Sequence, residues 1–337
     1  MSDNPYLSQV DYRDGIMPPW ENQHLLGHDP VFASLKQRFE QGKNHHAILL
    51  KGSQGIGKAT LAYHFARFIF QTTATAPNIP LFSHPNLYVL KRQLNDDRKK
   101  FRTTIAIKQI QDITEKLHQS PSVAGWRVVI VDPMDELRHE AANAFLKTLE
   151  EPPEKVQFLL ICNRSAKILP TIKSRCMGVS LHDLDPDITH NVISHVSDFN
   201  ISDEAIQNAL GFFPKQPGQA LEVYTSDLAT LHSRVEALIM QALQGQNIDL
   251  SQAQALASEM QKKGREITLP IVMNFIWGSI AQAARSSAIA GEGGMADKLS
   301  QICEAITKTH AETETFNLDL LGALIKTLSA IQSVRMA

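Results

Sequence analysis

Apolar positions along the chain follow two rhythms that change over near Leu181. Trp126-Arg-Val-Val-Ile-Val-Asp132 and Val156-Gln-Phe-Leu-Leu-Ile-Cys162 are near-continuous apolar runs, the pattern of strands buried on both faces. His46-Ala-Ile-Leu-Leu50 and His84-Pro-Asn-Leu-Tyr-Val-Leu90 are shorter runs of the same kind. Between them, apolar residues recur at helical spacing. One such set is Val31, Leu35 and Phe39; a second is Leu61, Phe65, Phe68 and Ile69; a third is Ile107, Ile110, Ile113 and Leu117. Leu137, Ala141, Ala142, Phe145, Leu146 and Leu149 form a fourth. Asp29-Pro30 supplies an N-cap and a proline at the first helical position. Pro152-Pro153 stops the fourth helix at Glu151. Strand, helix and strand in quick succession make a βαβ unit, hence a parallel sheet and an α/β fold class.

Beyond Leu181 the β signal disappears. Residues 186–225 read as short helices, with Phe213-Pro-Lys-Gln-Pro-Gly218 between two of them. From 226 to 337 the pattern is helices joined by turns at Gly245, Gly264 and Gly291-Glu-Gly-Gly294. A shift from mixed α/β to all-α marks a domain boundary. The expected division is a sheet domain over 1–180, a small helical domain over 181–225 and an all-α domain over 226–337.

Composition narrows the partners. Lys and Arg number 33 against 35 Asp and Glu, with 43% hydrophobic residues, so no strongly basic domain is present and any nucleic-acid contact is local or shared. Cys162, Cys176 and Cys303 lie far apart, without metal or disulfide spacing, which points to a reducing compartment. The polar, acidic start Ser2-Asp3-Asn4-Pro5 lacks the pattern of a signal peptide, and no apolar stretch has the length of a membrane span. The expectation is a cytoplasmic protein without a membrane partner.

The strand at His46 runs straight into Gly52, Ser53, Gln54, Gly55, Ile56, Gly57, Lys58, Ala59 and Thr60. A glycine followed after four residues by Gly-Lys is the phosphate-loop pattern. Glycines let successive N–H groups curl around phosphate oxygens, the lysine supplies a cation, and a helix N-terminus opens at the loop. ATP or ADP fits such a loop; a ligand-free glycine turn is the alternative. The pattern wants Ser or Thr after the lysine, whose hydroxyl holds magnesium. Ala59 stands there, and Thr60 is one residue late, about 100° around the helix, so magnesium is held weakly or not at all. Asp132, Asn163 and Arg175 fall at or just beyond predicted strand ends, where ligands of parallel sheets sit. Arg92 and Arg98-Lys-Lys-Phe-Arg102 form a basic cluster with one aromatic, a solvated loop with phosphate-backbone contact as the alternative.

Several of these stretches together resemble the clamp-loader branch of the AAA+ ATPases, and more narrowly the delta-prime family of bacterial DNA polymerase III. They are Asn22…Leu26-Gly-His28, His46-Ala47, the phosphate loop and Val128-Val-Ile-Val-Asp132. The most specific are Ala141-Ala-Asn-Ala-Phe-Leu-Lys-Thr-Leu-Glu-Glu-Pro-Pro153 and Ser174-Arg-Cys176; Phe316-Asn-Leu-Asp319 resembles the start of the last collar helix. The resemblance implies an AAA+ phosphate-loop domain, a helical lid and a C-terminal collar for oligomerisation. It implies a five-subunit hetero-oligomer with motor subunits (tau/gamma) and a delta subunit, acting on a sliding clamp and, through the complex, on primed DNA. Arg175 matches the arginine that this family projects into a neighbour's nucleotide site; a guanidinium stays charged and forks onto phosphate oxygens. Asp132 and Asn163 match the family's strand-end acid and its phosphate-sensing polar residue, with a cap of the strand end as the alternative for Asn163.

Departures from the motor pattern fall together. The water-polarising Glu after the strand-end acid is replaced by Pro133, Asp135 lies three residues on, and the lid arginine position is Gly218. Residues 70–86 contain no cysteine, so the zinc module of many clamp-loader subunits is not expected, and His45-His46 does not replace it. One reading is a non-hydrolysing stator within a polymerase holoenzyme, with little or no ATPase and no polymerase chemistry of its own. The other is an active AAA+ motor subunit of a clamp loader or another DNA-linked machine.

Overall fold

In the computed structural model, five parallel strands lie side by side in the order β2-β3-β4-β1-β5. They are β1 (Ala47–Lys51), β2 (Leu87–Leu90), β3 (Arg127–Val131), β4 (Val156–Cys162) and β5 (Met177–Ser180). The structure describes residues 16–73, 79–93, 104–121, 123–197, 203–225, 229–316 and 318–336. Within the first of two units, residues 1–220, helices α1 (Asp29–Glu40), α2 (Lys58–Thr73), α3 (Ile107–His118) and α4 (His139–Glu150) accompany the sheet. The short α5 (Pro170–Lys173) precedes β5; α6 (Pro186–Val196) and α7 (Asp203–Phe212) follow it, and α8 (Pro217–Thr225) begins at the end of this unit.

Alternation along the strands divides the core. Ile48, Leu50, Val128, Ile130, Leu159 and Ile161 turn to one face, where Leu35 and Phe39 of α1 and Leu61, Phe65 and Ile69 of α2 cover them. Leu49, Val129, Val131, Phe158 and Leu160 turn to the other, against Ile110, Ile113 and Leu117 of α3 and Phe145 and Leu149 of α4. Every residue of β1 to β4 except Lys51 is buried, as a sheet covered on both faces requires.

Several sequence expectations shift by a residue or an element. β5 escaped the pattern because four residues including Gly178, half-buried and exposed in alternation on an edge, carry no apolar run. Leu137 is not part of α4; it sits before the helix and bridges to Ile105. Ile107 opens α3 at 42% exposure, facing away from the core its spacing implied. His28, not Asp29, is the N-cap of α1, with Pro30 in the first turn and no side-chain capping bond. The cluster Arg98 to Arg102 lies outside the described residues; Arg92 lies within them, 3.1 Å from Glu136.

After α2, where the resemblance raised a zinc module, Phe70 stacks on His84 at 3.7 Å between ring centres. The His84 Nδ1 accepts the Asn86 amide, and Asn86 Nδ2 donates to Val123 O and Trp126 O. These contacts join the end of α2 to the segment that leads into β2.

The second unit, residues 221–337, contains α9 (Ala229–Leu243), α10 (Leu250–Lys263), α11 (Arg265–Ile289), α12 (Gly293–Phe316) and α13 (Leu320–Met336). Leu238, Leu256, Met260, Val272, Ile280, Leu299, Leu324 and Ile331 are among its buried residues. Buried Thr268, Thr313 and Thr327 each hydrogen-bond a carbonyl one turn earlier, so their hydroxyls need no outside partner. Among the described residues no helix is long and apolar enough to cross a membrane, and no group of three metal-ligating side chains is found.

Candidate nucleotide site and an exposed arginine

The loop between β1 and α2 takes its shape from left-handed glycines, Gly55 at φ +80° and Gly57 at φ +101°, conformations that a side chain would strain. Its carbonyls are held from three directions. Lys58 Nζ donates to Gly52 O at 2.9 Å and Ser53 O at 2.6 Å. His28 Nε2 donates to Ile56 O at 2.7 Å. The Gly218 amide, in the first turn of α8, donates to Gly55 O at 2.8 Å. Gln54 is exposed, Ile56 is buried, and Ala59 packs its methyl against the core.

Lys58 is 4% exposed, and burial pushes its pKa down to about 8 against the attraction of Asp132 and Asp135. Neither carboxylate pairs with it. Asp132, just after β3, lies 2.9 Å from Lys91 Nζ at the end of β2. Asp135, in the 3-10 turn Met134–Glu136, accepts the Asn163 amide at 2.8 Å and lies 3.3 Å from Arg164 Nε. Burial raises the neighbouring Glu136 to about 7. A buried ammonium at a helix N-terminus, with loop carbonyls for partners and no ion-paired carboxylate among the described residues, suits an oxyanion. Phosphate therefore fits the residues present. Magnesium fits poorly: no hydroxyl follows Lys58 directly, Asp132 is paired with Lys91, and Pro133 carries no acid.

Arg175 stands elsewhere. It lies two residues before β5, whose Met177 pairs with Ile48 near the beginning of β1, whereas the phosphate loop follows Lys51 at the other end. The expectation that Arg175 lies at a carboxyl strand end is therefore corrected: a parallel fifth strand begins there, so the arginine is at the amino edge of the sheet. Asp132 and Asn163 do follow the carboxyl ends of β3 and β4. The separation along a four-residue strand is about 13 Å. Arg175 Nη1 donates to Thr171 O at 2.9 Å and Ser174 Oγ at 3.2 Å, and Nη2 lies 2.8 Å from Glu150 Oε1. Its side chain is 36% exposed.

Sequence reasoning singled out the loop, Asp132, Asn163 and Arg175, but missed the partners that set their states. Lys91 and Glu150 belong to other elements, and no spacing rule links them to Asp132 or Arg175. His28 was noted within a stretch of resemblance without a role; its hydrogen bond to Ile56 supplies one.

A family model described as DNA polymerase III, delta subunit, matches residues 27–185. The chain is 30% identical over 209 residues to the DNA polymerase III subunit delta' of Escherichia coli, covering 59% of this chain and 60% of that protein. It is 31% identical over 202 residues to the subunit delta' of Haemophilus influenzae, covering 57% and 59%. It is 25% identical over 252 residues to the subunit tau of Escherichia coli, covering 74% of this chain and 39% of that one. The chain thus spans about 60% of the length of the delta' relatives and less of tau. Over residues 27–185 the chain is similar to the DNA polymerase III delta-subunit family, with delta' subunits among its relatives.

Proposed function

We propose that this chain is a non-hydrolysing stator of a DNA polymerase III clamp loader, which lends Arg175 to the nucleotide site of a neighbouring motor subunit. In this reading it assembles with tau/gamma-type motors and a delta subunit in the cytoplasm, through the second unit as collar, and serves a sliding clamp and primed DNA through the complex. Residues 181–225 act as the lid of the AAA+ domain.

The observation that carries the reading is the position of Arg175. About a strand's length separates it from its own phosphate loop, and it is half-exposed at the sheet's opposite edge, so the phosphate it serves is another subunit's. An arginine supplied in trans contributes about 10³–10⁵ in rate. The neighbour's ATP is hydrolysed by water to ADP and phosphate; Arg175 donates hydrogen bonds to the phosphoryl oxygens as negative charge builds there. The chain's own loop retains ATP or ADP through Lys58 and the loop amides. Turnover there is slow, because no hydroxyl, acid or lid arginine occupies the places that Ala59, Pro133 and Gly218 hold.

The test is a reconstituted loader carrying Arg175→Ala, assayed for DNA-stimulated ATP hydrolysis. The expected result is intact assembly with the rate down at least about 10³-fold; an unchanged rate removes the trans role. A companion assay of the purified chain with primed DNA and Mg²⁺, beside Lys58→Ala, is expected to show no difference between the two. Turnover abolished by Lys58→Ala would favour the motor reading.

A further inference from the structure

The guanidinium of Arg175 has five N–H donors, and three are committed within this chain. Two on Nη1 go to Thr171 O and Ser174 Oγ, both close by in sequence. The third, on Nη2, meets Glu150, the last residue of α4 and 25 positions away, since 175 less 150 is 25. Nε–H and the second Nη2–H remain. Thr171 and Ser174 tether one end of the fork; Glu150 fixes its rotation relative to the sheet, because a second element is needed to define an orientation.

Glu150 is held in turn. Pro152-Pro153 cannot continue a helix, so α4 ends at this residue, with Glu151 as its C-cap. The pair is half-exposed, with side chains 36% and 48% accessible, and therefore stays open to a partner. The other charged groups on these two elements are Glu140 in the first turn of α4, Lys147 in its last turn and Lys173 at the end of α5, and the C-cap of α4 is the exposed Glu151.

Resting on the trans-arginine reading, we infer that Glu150 is a positioning residue: its carboxylate orients Arg175 so that Nε–H and the free Nη2–H face the neighbour's phosphates. Preorganised donors need no reorganisation as charge develops, so the contribution falls on the chemical step rather than on ATP binding.

The test uses reconstituted loaders with Glu150→Ala, Glu150→Gln, Arg175→Ala and the double Ala variant, with kcat and KM for ATP read separately and thermal melts confirming folding. Glu150→Ala is expected to lower kcat about fivefold, the upper range for an exposed ion pair, with KM unchanged. Glu150→Gln keeps an acceptor oxygen and is expected to recover most of the loss. The double variant is expected to match Arg175→Ala alone. A slow Arg175→Ala loader beside a Glu150→Ala loader that is unchanged or faster would overturn the inference while leaving the trans-arginine reading standing. An additive loss in the double variant would overturn it too. An unaffected Arg175→Ala loader would remove the trans-arginine reading and this inference with it.

Discussion

Gly218 donates its amide hydrogen to the carbonyl of Gly55 at 2.8 Å, so that a glycine of the short helix α8 rests on a glycine of the phosphate loop. Neither tolerates a side chain. A Cβ on Gly218 would stand 2.8 Å from Gly55 Cα and 3.1 Å from its oxygen; one on Gly55 would stand 2.7 Å from the Gln219 amide nitrogen. The obstacles are backbone, so something must shift. Gly218→Ala is expected to cost about 1–3 kcal/mol, the range for overpacking. Gly55→Ala adds left-handed strain of about 1–2 kcal/mol at φ +80°. Denaturant melts of both variants check this; a Gly218→Ala protein as stable as the parent would mean that α8 is not seated on the loop in solution.

In the proposed nucleotide-holding role, the buried ammonium of Lys58 makes phosphate binding depend on pH. Its folded pKa of about 8 lies below the 10.5 of an ordinary lysine. Between those values the unfolded chain binds more protons than the folded one, so the free protein gains stability from this group as pH rises from 8 to 10.5. A phosphate beside the ammonium favours the charged form and raises its pKa, so binding near pH 8 takes up a proton. ADP affinity is therefore expected to fall as pH rises from 7 to 9. Calorimetry in two buffers of different ionisation enthalpy should detect the proton. An affinity flat across that range, with no uptake, would contradict the coupling.

Much of the first unit was legible because its strands are buried on both faces. Val156–Cys162 is an apolar run that emerges with its ends unchanged. The glycine spacing likewise placed the phosphate loop before α2, since backbone conformation is written in glycines. What the sequence did not carry were relations made by the third dimension. β5 has four residues and one protected edge, too little apolar content to be seen. The side on which Arg175 lies depends on β5, so that placement failed with it. Charged pairs such as Lys91 with Asp132 join residues 41 positions apart, since 132 less 91 is 41, and no periodicity announces them.

Arg127 illustrates the same point and yields a prediction. Within an apolar run it looks like an interruption, yet it is 6% exposed and begins β3. Its Nη1 donates to Leu117 O at 2.6 Å and Gln119 O at 3.0 Å, its Nη2 to Glu154 O at 3.4 Å. The first two lie at the C-terminus of α3, where orphan carbonyls and the helix dipole favour a cation. Arg127→Met keeps the apolar stem but leaves these buried acceptors unmet, at about 1–3 kcal/mol each where desolvation is complete. A loss of about 2–4 kcal/mol overall is expected, with Arg127→Lys intermediate because one ammonium cannot span all three. Denaturant midpoints measure it; an Arg127→Met midpoint equal to the parent's would show water reaching those carbonyls.

The stack of Phe70 on His84 predicts how the protein responds to metal removal and to acid. Phe70 and His84 are stacked 10° from parallel, and Nδ1 of His84 accepts the Asn86 amide, so the ring is neutral with its proton on Nε2. Burial lowers the pKa of His84 below 6.5. Protonation costs both the buried neutral state and the acceptor, so this group's contribution is present above pH 6.5 and is lost as pH falls through the lowered folded value. A chelator such as EDTA is expected to leave the melting temperature at pH 7.5 unchanged, because these contacts are an aromatic stack and amide hydrogen bonds. His84→Ala removes the stack and the acceptor, costing about 2–3 kcal/mol at pH 7.5. Its deficit should shrink on acidification, since the parent then loses the same interactions. A chelator-induced drop in melting temperature would show a metal holding the fold, and a deficit independent of pH would show that His84 contributes bulk alone.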